Sequence, residues 1–166
     1  MAAAMVDKQA LLERLRVGVA EELARALTAQ RETQRGATHE EARPENDKDT
    51  RALEASYLAR GLSERVATLQ NDVAALAVLK VRAFADDQPV ALSALVTLQA
   101  LDGGAASHYF LVPAAGGLRF SIDGETITTV TPQAPLGHAL LGAYLGDEVT
   151  VQTHKGPRVM AIERVR

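Results

Sequence analysis

Two long proline-free amphipathic runs, separated by one acidic stretch, constrain this chain more than any other feature. The separator is residues 40–49, Glu-Glu-Ala-Arg-Pro-Glu-Asn-Asp-Lys-Asp. It sets five carboxylates (Glu40, Glu41, Glu45, Asp47, Asp49) against two cations (Arg43, Lys48). Its net charge therefore equals the −3 of the whole chain. Pro44 lacks a backbone donor and disfavours helical geometry in the residue before it. That argues against one helix through this point and for a tight turn closing a helical hairpin, with acidic groups at its extremity.

The first run covers residues 8–34. Leu12, Leu15, Val19, Leu23, Ala26 and Leu27 recur at three- and four-residue spacing, which marks one apolar stripe on a helix. Asp7 stands where an N-cap is expected. The stripe fades after Leu27 into Gln30, Thr33 and Gln34, so the helix is expected to continue away from the main body. It ends either at Gly36 or one turn later, before Arg43-Pro44. Such an arm spans about 40 Å at ~1.5 Å per residue. The second run covers residues 51–80, with Asp49 or Thr50 as cap. Leu53, Tyr57, Leu62, Val66, Leu69, Val73 and Leu76 follow a near-heptad course, read throughout as coiled-coil seam. Gly61 interrupts it at a cost of roughly 1 kcal/mol against Ala. Two arms of similar length and a short turn favour an antiparallel pair.

Composition excludes several functions. Aromatic residues make up 4% of the chain and Trp is absent, so stacking platforms for single-stranded nucleic acid are not expected. The negative net charge argues against nucleic-acid binding through an overall field, leaving only an indirect route to nucleic acid. There is no cysteine, hence no disulfide or thiol chemistry. The first residues lack a basic start and an apolar core, and no run approaches the ~20 apolar residues of a membrane span. A cytoplasmic protein without membrane contact is expected.

Composition shifts near Ala83, and Asp86-Asp87-Gln88-Pro89 reads as a turn. Short extended runs follow at residues 94–101, 107–112, 118–122 and 127–131, separated by Asp102-Gly103-Gly104 and Ala115-Gly116-Gly117. Residues 135–145 read as a short helix, with Pro135 in its first turn and Leu136, Leu140, Leu141 and Tyr144 on one side. Residues 148–153 and 158–165 flank His154-Lys155-Gly156-Pro157 as a hairpin. The expected fold is α+β: an N-terminal antiparallel two-helix coiled-coil hairpin over 1–82, then a small antiparallel sheet with one helix over 83–166.

This plan resembles the GreA/GreB transcript-cleavage elongation factors. Two further features carry the likeness. The run Ala134-Pro135-Leu136-Gly137-His138-Ala139-Leu140-Leu141-Gly142, followed by Gly146-Asp147-Glu148-Val149, is similar to the family's Ser-Pro-x-x-x-Ala-Leu-Ile/Leu-Gly segment and its Gly-Asp-x-Val strand entry. Glu45-Asn46 is similar to the Glu-Asn pair of the family's hairpin tip. The resemblance implies an FKBP-like C-terminal domain without isomerase activity, docked on RNA polymerase beside the secondary channel. It implies a hairpin that enters the channel and brings tip carboxylates to the Mg²⁺ of the polymerase active site. The polymerase then cleaves its own backtracked transcript. On this reading the factor is not itself an enzyme, carries no cofactor of its own, takes no small-molecule substrate and meets nascent RNA only indirectly.

The residues that the resemblance assigns are Glu45 and Glu41 for cleavage, Glu45, Glu41 and Asp47 toward the polymerase's magnesium, and Pro135, Leu136, Gly137 and His138 toward the polymerase surface. Glu45 and Glu41 also read as solvated turn or helix-end residues, and Asp47 as helix N-terminal charge. Pro135, Leu136 and Gly137 also read as helix start and core. One position departs from the family pattern. Ala42 stands where the family has an aspartate three residues before the tip glutamate. This leaves two rivals: a secondary-channel regulator of polymerase that does not stimulate cleavage, and a coiled-coil interaction module without a link to transcription. His39, His108, His138 and His154 show no metal-ligand spacing.

Overall fold

The computed structural model describes residues 6–40 and 48–166. Two helices, α1 (Lys8–Glu40) and α2 (Lys48–Val78), precede six strands: β1 (Leu95–Ala100), β2 (Ser107–Leu111), β3 (Arg119–Ile122), β4 (Glu125–Val130), β5 (Glu148–Thr153) and β6 (Gly156–Val165). A short helix α3 (Pro135–Leu140) lies between β4 and β5. The chain divides into two compact units, Arg16–Ala74 and Met1–Leu15 with Ala75–Arg166. None of the described helices is long and apolar enough to cross a membrane.

In the helical unit α1 and α2 run antiparallel. Glu22 pairs with Arg65, and further along α1 Gln30 Nε2 donates to Ser63 Oγ at 3.0 Å, nearer the start of α2. Val19, Val66 and Leu69 are buried between them, as their heptad spacing requires. The expected seam does not persist along α2. Leu53 is 56% exposed and Tyr57 66%, with Leu58 also open. On α1 the stripe has by then given way to Gln30, Thr33 and Gln34, which offer no apolar surface to pack against. The helix also continues through Gly36, so the glycine does not end it.

In the sheet unit the strand order is β3-β4-β2-β1-β6-β5. Four of its five pairings are antiparallel, as expected, but β2 and β4 run parallel, with His108 opposite Ile127 and Leu111 opposite Val130. A parallel neighbour requires a crossover. Here β3 supplies it: the chain passes to the sheet edge and returns as β4 between β3 and β2.

Alternation along the strands gives two apolar faces. One carries Val96, Leu98, Ala100, Leu111, Val130, Met160, Ile162 and Val165, and packs with Val149 of β5 and Leu140 of α3. The other carries Leu95, Phe110 and Ile127, all fully buried. The opening turns of α1 and the last turn of α2 belong to this unit, and their Leu11, Leu12, Leu15 and Leu76 are fully buried. Arg14 locates them. Its guanidinium lies 5.6 Å from the Phe120 ring and donates to the Ser121 carbonyl at 3.4 Å. Phe120 is paired with Ile127, so α1 covers the Ile127 face.

Local chemistry fixes the ends. Asp7 caps α1, its Oδ1 accepting from the amides of Gln9 (2.9 Å) and Ala10 (3.2 Å). The turn at residues 85–88 forms as expected, closed by Gln88 N to Ala85 O at 3.0 Å. Ser93 holds a left-handed conformation, φ 72°, that is costly for a non-glycine residue. All of its polar groups are engaged: its amide donates to Leu111 O, its Oγ accepts from Arg82 N, and its carbonyl accepts from Lys8 Nζ.

Burial separates two large aromatic side chains, Phe110 and Tyr57. Phe110→Ala is expected to cost about 3–5 kcal/mol of stability, whereas Tyr57→Ala is expected to change it by no more than about 0.5 kcal/mol. Urea unfolding of both variants measures the difference.

Candidate functional site

Glu41, Glu45 and Asp47 lie outside the described residues. The other candidates, Pro135, Leu136, Gly137 and His138, all fall on α3. Ala134 precedes the helix in an extended conformation and Pro135 takes the first turn, where its missing amide costs no hydrogen bond. The His138 amide donates to Ala134 O and the Leu141 amide to Gly137 O. Pro135 and His138 are exposed, Leu136 is half-buried against the sheet core, and Gly137 is buried.

Gly137 is a packing position. A Cβ there would stand 1.9 Å from the Thr131 carbonyl oxygen and 2.6 Å from its carbon. Backbone cannot yield as a flexible side chain can, so only glycine lets α3 lie this close to the end of β4. Of the four candidates, then, Pro135 and His138 present free surface, while Gly137 seats the helix.

The helix stops sooner than residues 135–145. After Leu140 the chain turns away, with Gly142 at φ 84°. The Gly142 amide donates to Val90 O and the Val90 amide to Ala143 O, both at 2.8 Å. These two bonds draw the segment toward the strand-side linker and prevent a further helical turn. Asp147 closes the following turn, its Oδ2 accepting from the Tyr144 amide at 2.8 Å and its own amide donating to Tyr144 O at 3.0 Å. That is the physical content of the Gly146-Asp147 signature: glycine adopts φ 90° and aspartate satisfies the turn.

Early termination changes which side chains reach the surface. Leu141, Tyr144 and Leu145, which a longer helix would turn inward with Leu140, stand exposed at 45%, 47% and 36%. Sequence reading misses them as surface residues. The signal was Gly142, which can adopt the left-handed conformation that ends a helix.

On the other side of Ala134 an open cleft of about 470 Å³ is lined by Tyr109, Gly116, Gly117, Thr129, Thr131 and Ala134, among others. The lining holds no carboxylate, imidazole or amine. The Thr129 hydroxyl is engaged by Ala115 O at 2.7 Å and Leu118 N at 3.0 Å. Among the described residues no group of three or more metal-ligating side chains comes together.

Two carboxylates outside α3 have displaced acidities. The Arg158 guanidinium, hydrogen-bonded to Asp102 at 2.6 Å, lowers the Asp102 pKa. Burial in the helical unit raises that of Asp72, with Arg65 opposing the shift and Glu22 adding to it. Both have structural explanations.

The fold is thus a six-stranded mixed sheet with one short helix, preceded by two long N-terminal helices. Residues 85–166 match the family described as transcription elongation factor, GreA/GreB, C-terminal, and through this half the chain belongs to the GreA/GreB family. Among solved structures it is similar to the transcription factor Gfh1 (18% identity, 91% of this chain and 92% of that one, TM-score 0.42). It is likewise similar to Gfh1 of Thermus aquaticus (17%, 89% and 91%, TM-score 0.42). A third is the transcription elongation factor GreA/GreB from Nitrosomonas europaea (23%, 58% and 78%, TM-score 0.38). No protein of curated function matches the chain in sequence.

Because Gly137 meets backbone, Gly137→Ala is expected to destabilise the sheet unit by about 1–3 kcal/mol. His138→Ala, at an exposed position, is expected to stay within about 0.5 kcal/mol of the parent protein. Thermal unfolding followed by circular dichroism distinguishes them.

Proposed function

We propose that this protein binds RNA polymerase as a transcription elongation factor of the Gre type. On this reading the sheet unit docks on the enzyme, and the paired helices carry the acidic segment 40–49 through the secondary channel to promote cleavage of backtracked transcripts. The observation that carries the reading is the family match over residues 85–166, on a chain whose two long helices flank that acidic segment. Helices of 33 and 31 residues are about 45–50 Å long at ~1.5 Å per residue, a reach suited to an active site deep inside another machine.

The docking surface in this proposal combines Pro135 and His138 with the exposed Leu141, Tyr144 and Leu145. A compact apolar group with polar neighbours is the composition of a protein interface core. Leu136 and Gly137 support it from beneath rather than touch the partner.

Glu45, with Glu41 and Asp47, supplies the chemistry in this proposal. Carboxylates are the hard oxygen donors that Mg²⁺ prefers, so the donor set fits the polymerase's ion. The ion would supply stabilisation of the attacking and leaving oxygens at the scissile phosphate. The chain's own residues would orient and hold, and the hydrolysis itself would belong to the polymerase.

A second reading rests on Ala42, which replaces the family's aspartate. With one carboxylate fewer, the protein occupies the channel and tunes polymerase without stimulating cleavage. Purified protein added to backtracked elongation complexes decides between the readings. Stimulated cleavage that Glu45→Ala reduces at least about tenfold, with polymerase binding retained in a pull-down, supports the first. Glu41→Ala is expected to weaken it less. Binding without any cleavage supports the second, and failure to recover polymerase at all removes both.

A further inference from the structure

Glu125 Oε2 is buried and has no hydrogen-bond partner, a costly state for a carboxylate oxygen. His108 Nε2 stands 3.9 Å from it, too far for a hydrogen bond but within reach of a small side-chain movement. Strand register explains the meeting. Thr97, His108 and Ile127 stand side by side on β1, β2 and β4, and Glu125, two residues before Ile127, shares their face. The other ring nitrogen, His108 Nδ1, is 3.1 Å from Thr97 Oγ1. Thr97 is buried, and the His108 side chain keeps 15% of its surface open, enough to exchange protons with solvent.

The other charged groups on the neighbouring elements are engaged elsewhere or exposed. Among the described residues no arginine or lysine pairs with Glu125. On α1, Arg14 is held by Phe120 and the Ser121 carbonyl, and Lys8 by the carbonyls of Arg82 and Ser93. Glu13 accepts from Gln9 Nε2, and Asp7 caps the helix. The last turn of α2 brings no titratable side chain. On the far side of β1, Arg164 lies opposite Thr97 and is exposed, and Arg166 is bonded through its backbone to Leu95. β3 contributes Phe120 and Ile122 to this face, and Asp123, in the turn before β4, is exposed.

We propose that Thr97, His108 and Glu125 form a proton-operated latch between β2 and β4, open in this structure and closed when His108 carries two ring protons. Histidine is the side chain whose charge changes between about pH 5 and 8. In the imidazolium both ring nitrogens donate. Nδ1 then gives its proton to Thr97 Oγ1, which accepts as readily as it donates, and Nε2 donates to Glu125 Oε2 in a charge-assisted bond. The buried carboxylate gains the donor it lacks. The latch stands on the parallel pairing of the sheet, and within the sheet the β3–β4 hairpin is attached only through that pairing. Parallel pairs are slightly less stable per residue. A proton bound more tightly by the folded than by the unfolded chain stabilises the fold as pH falls, so the hairpin is held more firmly at mildly acidic pH.

The test compares the full chain with Glu125→Gln and His108→Gln, neither of which can form the charged bond. Thermal unfolding is followed at about pH 8 and about pH 6, a range that spares ordinary carboxylates. Between the two, the parent protein is expected to gain at least about 2 °C in Tm more than either variant. The double variant should lose no more of this gain than the single ones. NMR of the His108 ring is expected to show a titration midpoint that falls by about half a pH unit or more in Glu125→Gln. Amide exchange in β4, corrected for its intrinsic pH dependence, should slow toward the lower pH in the parent alone. The ring titration needs only Glu125→Gln, so it decides the matter even where His108→Gln fails to fold. An unchanged midpoint, or the same pH response in parent and variants, would overturn the proposal.

Discussion

A sheet with two apolar faces cannot be stabilised by covering only one of them. In this protein the six residues of α3 serve the face that bears Val96, Leu98 and Ile162. The opposite face, with Leu95, Phe110 and Ile127, is closed by the base of the helix pair through Leu11, Leu12, Leu15 and Leu76. Arg14 and Lys8 are the polar fastenings of that closure, one on the β3 backbone and one on the linker before β1. The first turns of α1 and the last turn of α2 are therefore part of the sheet unit's own core. The strained Ser93 persists because the same closure supplies partners for its carbonyl and hydroxyl.

Much of this was legible from residue patterns. The Asp7 cap, the apolar stripe through Val19, the turns at 85–88 and 102–104 and the β5–β6 hairpin follow from side-chain chemistry that acts over a few positions. What was not legible depends on distant partners. Alternation shows that β2 and β4 are strands but not that they are parallel neighbours. Heptad spacing proposes Leu53 and Tyr57 for a seam, but a seam needs two apolar sides, and α1 has become polar there. The end of α3 is set by hydrogen bonds from Val90, nearly fifty residues upstream. Lys8 reads in sequence as the first residue of a helix, and nothing local reveals that its amine meets the carbonyls of Arg82 and Ser93.

The candidate site was legible in the same uneven way. The segment around Pro135 stood out, but its residues divide by role only in three dimensions. Gly137 is required by a carbonyl that its neighbours in sequence do not announce. Leu141, Tyr144 and Leu145 become surface because a helix ends early. A motif can thus mix residues that maintain a shape with residues that the shape displays.

The order of the strands bears on how the protein is made. β1 lies between β2 and β6, and Val96 is opposite Val165 while Leu95 exchanges bonds with Arg166. Sixty-odd residues must leave the ribosome before that neighbour exists. Until then a strand of Leu, Val and Thr presents a bare row of amides and carbonyls to the cell, the kind of surface that invites association with other chains. β4 completes its slot much sooner, so the nascent sheet grows first toward β3 and only at the last toward β5. The β6 strand is in effect the keystone of the sheet, set after the other stones.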